Sequence, residues 1–208
     1  MNGRRGFFSL EGVDGSGKST QLSLLASWFK EHGREVLTVR EPGGTPVSDQ
    51  IRALLLSPSN HIAPAAELLL FSAARAQLVA QVIAPALQAG KIVLADRFGW
   101  STMAYQGYGR GMDRDRIREL FAIACGDVWP AHSFLLDLPV SAMRARLESG
   151  GRPADRMESE SVSFFGKVRD GYLSIAREHA DRFTVIDAAQ APEAVHQAIV
   201  SKLSALAP

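Results

Sequence analysis

Gly12-Val13-Asp14-Gly15-Ser16-Gly17-Lys18-Ser19 fits the pattern G-x-x-x-x-G-K-[ST] without a gap, and the apolar run 6–10 leads straight into it. Glycines at this spacing let backbone N–H groups turn inward around phosphate oxygens. The helix that must follow adds a partial positive charge, and Lys18 adds a full one. Ser19 supplies a hydroxyl for a metal ion that accompanies the phosphates. A tight strand-to-helix turn can be glycine-rich for its own sake, but it does not require lysine followed by serine at this position. The stretch therefore predicts strand, loop and helix, with residues 12–20 (Thr20 the last of them) holding a nucleoside triphosphate.

Outward from this loop, short apolar runs alternate with longer helical patterns, the signature of a parallel sheet covered by helices. Five strands are expected, at 6–10, 35–39, 91–95, 133–138 and 182–186, each nearly continuous in apolar character as buried parallel strands are. The first helix should run from 18 to 31, with Leu22, Leu25, Trp28 and Phe29 on one face and Gly33 as its stop. A second helical stretch, 64–89, carries Leu68, Phe71, Leu78 and Val82, and Pro85 should kink its last turn. Two segments interrupt the alternation: the turn-rich 40–46, and 149–155, where glycines and arginines separate two helical patterns.

The chain has 208 residues, enough for one full core, and no linker long enough to divide it, so one domain is expected over 1–208. Hydrophobic residues at 46% and charged residues at 22% exclude a disordered or fibrous chain. A net charge of +1 with no basic tail gives no reason to expect a nucleic-acid polymer as partner, because such binding needs many phosphate contacts. The single cysteine, Cys125, excludes an internal disulfide and points to a reducing compartment, the cytoplasm. The apolar run after Arg4 and Arg5 is too short for a signal core, and no uninterrupted apolar stretch approaches the roughly 18 residues of a membrane span, so no membrane partner is expected.

The loop names the nucleotide class and leaves the reaction open. A GTPase switch needs an N-K-x-D segment, but Asn2 and Asn60 are the only asparagines and neither precedes lysine. A transport ATPase needs a partner-engaging Leu-Ser-Gly-Gly segment, which is absent. A small-molecule kinase needs only an acceptor pocket, and the chain offers parts for one. Asp96 and Arg97 end a buried strand at the sheet edge where ligands of open α/β folds bind. Asp96 suits a metal ion, and Arg97 a phosphate. Standing alone, that pair could be a solvated ion pair. Phe71 and Arg75 are four residues apart on one helix face, a ring beside a guanidinium; the bland alternative is a core phenylalanine and an arginine reaching for solvent.

Four segments follow the loop in order: Arg40-Glu-Pro-Gly-Gly-Thr45, Phe71-Ser-Ala-Ala-Arg75, Asp96-Arg97-Phe98 and Ser101-Thr-Met-Ala-Tyr-Gln-Gly107. Together they resemble bacterial thymidylate kinases, over about 8–187. The resemblance implies a three-layer α/β fold of the P-loop NTPase type, with a five-stranded parallel sheet flanked by helices. It also implies transfer of the γ-phosphoryl of ATP, with Mg2+ held by Ser19 and Asp96, onto dTMP to give dTDP. Phe71 would stack on thymine, Arg75 would hydrogen-bond its edge, and Thr102 and Gln106 would lie beside the base, near Ser101. Tyr105 would crowd the 2′ position. Arg97 and Arg52 would approach the acceptor phosphate, with Arg40 and Pro42 bordering the same pocket. Recognition of the thymine methyl by packing alone should be worth only about 1–3 kcal/mol, so some dUMP activity is expected.

Asp14 carries a further implication. Bacterial members of the family with an acidic residue there face it to the acceptor sugar and place their catalytic arginines in a lid, here about 149–157. Lys18, Asp14, Arg97, Arg152 and Arg156 are therefore the expected catalytic set, since a loose transition state needs cations over the moving group more than it needs a base. Arg144 and Arg146, on the preceding helix, read as surface charges. A deoxynucleoside kinase would need a carboxylate base beside an uncharged hydroxyl, and the arginines argue against it; together with Lys18 they also argue against a regulatory protein that has lost catalysis. Homodimerisation is implied by the family alone.

Overall fold

The computed structural model describes residues 4–151 and 153–206. Its centre is a sheet of five parallel strands: β1 (Arg4–Glu11), β2 (Val36–Arg40), β3 (Ile92–Asp96), β4 (Pro130–Asp137) and β5 (Phe183–Asp187), in the order β2-β3-β1-β4-β5. All five expected strands are present, shifted by no more than two or three residues at their ends. Every residue of β3 is buried, which is why it reads as an unbroken apolar run up to Asp96. Register places Leu10 of β1 beside Asp96 of β3, and Arg40 of β2 beside Asp96 on the other side. The chemistry-bearing ends of three strands thereby meet at one edge of the sheet.

Helix α1 (Lys18–Glu31) follows the loop and stops at Gly33, as its sequence indicates. Helix α2 (Pro46–Leu56) begins with proline at its first position and Thr45 as cap, whose hydroxyl accepts from Ser48 N–H at 3.1 Å. Helix α3 (Pro64–Leu78) runs into a π-helical turn, Val79–Ile83, and then into α4 (Ala84–Gln88). Pro85 was expected to kink the last turn. The turn ahead of it is widened, with Ala84 N–H bonded to Val79 C=O, and the helix runs on through Pro85 into α4.

This run, Pro64–Gln88, is the one helix among the described residues long and apolar enough by length and composition to cross a membrane. Within the fold it packs against its neighbours and buries two charged groups, Glu67 and Arg75, in ion pairs. After β3 come α5 (Gly99–Thr102), a second π-helical segment (Met103–Gly109) and α6 (Arg114–Cys125). Helices α7 (Val140–Ser149), α8 (Val162–Glu178) and α9 (Pro192–Leu206) complete the layers. The core holds Phe7, Leu10, Val93, Leu94, Phe134 and Leu136 of the sheet, with Phe98 and Trp129 stacked edge-on behind the site.

Candidate active site

The loop 12–19 joins β1 to α1. Gly12 has φ 135°, and a Cβ there would lie 2.5 Å from Leu136 C=O, so no other residue fits without moving the neighbouring strand. Gly17, at φ 90°, is the residue from which α1 starts. Lys18 is buried; its Nζ donates to the carbonyls of Val13 at 2.8 Å and Gly12 at 3.2 Å. Burial, reinforced by the charge of Arg97, brings its ammonium down to about 8, against the pull of Asp14 and Asp96. Ser19 Oγ donates to Asp96 Oδ2 at 2.9 Å. A hydroxyl and a carboxylate are the oxygen donors that Mg2+ accepts, and few protein ligands suit an ion that keeps water and phosphate oxygens in its shell.

Two adjoining cavities open at this edge. One runs along the loop past Gly15, Gly17, Lys18, Ser19, Thr20, Arg40 and Asp96. The other is lined by Pro42, Phe71, Arg75, Ser101, Thr102, Tyr105 and Gln106. Asp14, Glu41, Arg52, Arg97 and Asp155 line both. Every residue expected around the acceptor thus borders the second cavity except Arg40, which borders the first.

Arg97 occupies the junction. It is the one non-glycine residue among those described with a left-handed backbone, φ 71°. Its guanidinium donates to Gly12 C=O at 2.6 Å, Asp14 at 2.7 Å, and the hydroxyls of Tyr172 and Tyr105 at 3.1 and 3.2 Å. Burial would raise the Asp14 carboxyl, but Arg97 and Lys18 outweigh it and hold it at about 2. The turn is fixed from behind by Glu11, fully buried, which accepts from Phe98 N–H at 3.0 Å, Ser9 at 3.0 Å and Ser101 at 2.6 Å. Burial pushes its carboxyl up to about 7, against hydrogen bonding from Ser101 and the charge of Arg97.

At the far end of the second cavity Arg75, 2% exposed, donates Nε to Glu41 at 2.8 Å and Nη2 to Thr102 at 2.9 Å. Its Nη1 and the other oxygen of Glu41 are buried without a partner. Such orphaned polar atoms are costly unless a ligand meets them. Arg52 donates to Pro42 C=O at 2.9 Å.

Of the two expected lid arginines the structure describes one. Arg152 lies outside the described residues. Arg156 does not stand over the phosphate loop: its guanidinium binds Glu67 at 2.7 Å and Leu55 C=O at 2.6 Å, and its own N–H reaches Leu56 C=O. A buried carboxylate and the free carbonyls at the end of α2 hold it more firmly than solvent would. Nor are Arg144 and Arg146 idle surface charges. Arg144 donates to the carbonyls of Glu158 and Glu160, and Arg146 to those of Gly15 at 2.9 Å and Ala188 at 3.0 Å.

The family model for thymidylate kinase matches residues 10–199. The chain belongs to the thymidylate kinase family. It is 47% identical to the thymidylate kinase of Chlorobaculum tepidum, over 95% of this chain and 96% of that one. It is 50% identical to that of Syntrophotalea carbinolica, over 88% and 87%. The crystal structure of thymidylate kinase from Ehrlichia chaffeensis superposes with a TM-score of 0.78 at 34% identity, covering 98% of this chain and 99% of that one. The protein is an enzyme that phosphorylates dTMP to dTDP in nucleotide biosynthesis, and ATP is the phosphoryl donor in its family.

Four residues at this thymidylate kinase site escaped the sequence reading: Glu11, Glu41, Glu67 and Tyr172. Two left a trace. Glu11 directly precedes the phosphate loop, and Glu41 sits inside the Arg-Glu-Pro-Gly-Gly segment. Glu67 and Tyr172 lie on helices that carry other polar residues at similar spacing, and only the packed fold reveals their partners.

Proposed function

We propose that the cavity along the phosphate loop takes ATP and that the cavity beneath Phe71 takes dTMP, with transfer occurring across Arg97. The observation that carries this assignment is the position of Arg97, whose guanidinium touches both the loop carbonyl of Gly12 and the acceptor-side groups Asp14 and Tyr105. A phosphate entering either cavity approaches the same fixed cation.

Lys18 and the N-terminus of α1 bind the donor phosphates, and Arg97 with Arg52 orients the acceptor phosphate, whose oxygen is already ionised at neutral pH and needs no base. Asp14 faces the acceptor sugar and keeps the Arg97 fork aligned. Phe71 stacks on thymine, and the unpartnered Nη1 of Arg75 donates to its edge. Ser19 and Asp96 hold Mg2+, which when bound neutralises charge on the phosphates. Of the two lid cations, Arg152 is the one assigned to the moving phosphoryl group, since Arg156 is engaged by Glu67.

The whole chain acts as one domain with its lid at 149–157, in the cytoplasm, where Cys125 stays a buried thiol. It acts on small-molecule substrates only, without nucleic-acid polymer or membrane, and as a homodimer. Exposed Leu54, Leu69 and Ile123, on the neighbouring helices α2, α3 and α6, support self-association. Light scattering on the purified chain checks the dimer. A coupled assay of ADP release with Mg-ATP checks the reaction. It should give the highest rate with dTMP, a lower rate with dUMP, and little with thymidine, AMP or CMP. Thymidine as the better acceptor would refute the site assignment.

A further inference from the structure

Glu67, in the first turn of α3, is 1% exposed and receives donors from two directions. From the acceptor cavity, Gln106 Nε2 reaches its Oε1 at 2.8 Å. From the lid, Arg156 Nη1 reaches its Oε2 at 2.7 Å. Arg110 spans both oxygens, at 3.2 and 3.1 Å, and also pairs at 2.6 Å with Glu160, just beyond the lid. Burial alone would raise the Glu67 carboxyl; hydrogen bonds from Arg110, Gln106 and Arg156 outweigh it and hold it ionised. Arg156 in turn caps the last carbonyls of α2, the helix that carries Arg52 to both cavities.

We propose that Glu67 is a positioning residue that couples occupancy of the base-holding end of the acceptor cavity to the order of the lid. The proposal rests on the assignment of that cavity to dTMP. A base that fixes Gln106 fixes the amide hydrogen bond on Glu67. In a buried network each bond polarises the next, so the carboxylate then holds Arg156 and Arg110 in one arrangement. The C-terminal half of the lid becomes a fixed post before the donor phosphates are covered. Coupling of this kind is reciprocal: dTMP should tighten a donor nucleotide by the same factor that the donor tightens dTMP.

Calorimetry on the full chain tests this with a non-hydrolysable ATP analogue and Mg2+, titrated with and without saturating dTMP. The unaltered protein should bind the analogue at least about fivefold more tightly with dTMP present. Glu67→Gln should bring that ratio to within about twofold of one while leaving the affinity for the analogue alone nearly unchanged; a merely structural role would lower the melting temperature and leave the ratio in place. Arg156→Lys keeps the charge but replaces the rigid fork, whose Nε and Nη1 reach Leu55 and Glu67, by one mobile ammonium, so it should lose the ratio too. It carries the test by itself if Glu67→Gln fails to fold. Binding of both nucleotides by the unaltered protein with a ratio of one, or a full ratio in a folded variant, overturns the coupling. Failure of dTMP to bind the unaltered protein overturns the cavity assignment as well.

Discussion

Replacing Glu11 by glutamine should stabilise the protein at alkaline pH and slow it as an enzyme. The carboxylate is fully buried, and burial brings its pKa from an ordinary 4.5 to about 7. The folded form therefore binds the proton more tightly than the unfolded chain does. Its contribution is complete below the unfolded value and is lost as pH rises from about 4.5 through about 7. At about 1.4 kcal/mol per pKa unit, ionised Glu11 costs the fold roughly 3 kcal/mol at pH 8 and under about 1 kcal/mol at pH 5.

Glutamine removes this cost without emptying the site. Its carbonyl can still accept from Phe98 N–H, and its amide can face Ser101 Oγ once that hydroxyl turns its proton to Tyr172, 2.7 Å away. Urea unfolding of both proteins at pH 5 and pH 8 should show the variant's advantage growing by about 2 kcal/mol between the two. Turnover should fall, because the carboxylate that fixes the strained turn at Arg97 is weakened; gain in stability with loss of activity is common at such sites. A variant less stable than the original at pH 8, or an advantage that does not change with pH, would refute the reasoning.

Lys18→Met should lower kcat by at least about 100-fold in the coupled ADP assay while calorimetric dTMP binding persists, since the cation acts on the donor phosphates. Phe71→Ala should raise the KM for dTMP about 10- to 100-fold, the loss of one stacked base, and leave the KM for ATP within about twofold. Tyr105→Ala should narrow the preference for dUMP over UMP by about tenfold in kcat/KM, if the ring does crowd the 2′ position; an unchanged ratio would remove that role.

The sheet was legible because buried parallel strands leave no room for polar alternation. β3 is apolar from Ile92 to Ala95 and turns polar only at Asp96, where it reaches the ligand edge. The phosphate loop was legible because its chemistry needs residues adjacent in sequence. Gly12 must let the backbone pass Leu136, Gly17 must start the helix, and Lys18 must follow at once. Phe71 and Arg75 could be paired from helical spacing alone. Pro85 shows where local rules stop: the ring forbids a regular turn, but whether the helix breaks, bends or widens depends on the packing of Val79 and Ile83 in the core.

Arg156 shows the same limit for function. Its neighbours in sequence are glycines, charges and small residues, which give a lid-like segment, and an arginine there is reasonably assigned to a phosphate. What decides its role is the competition for its guanidinium. Glu67 is buried, and Arg156 completes the set of donors around it that Arg110 and Gln106 begin, whereas a phosphate at the open edge, on the assignment proposed above, meets Lys18 and Arg97. The buried acceptor therefore takes the donor. Sequence spacing cannot reveal this outcome, because Glu67 and Arg156 meet only after α2, α3 and the lid have packed. The same reasoning separates the arginines of this enzyme generally. Arg75, Arg110 and Arg156 face the buried carboxylates of Glu41 and Glu67, whereas Arg97 pairs with the more exposed Asp14 at the open edge.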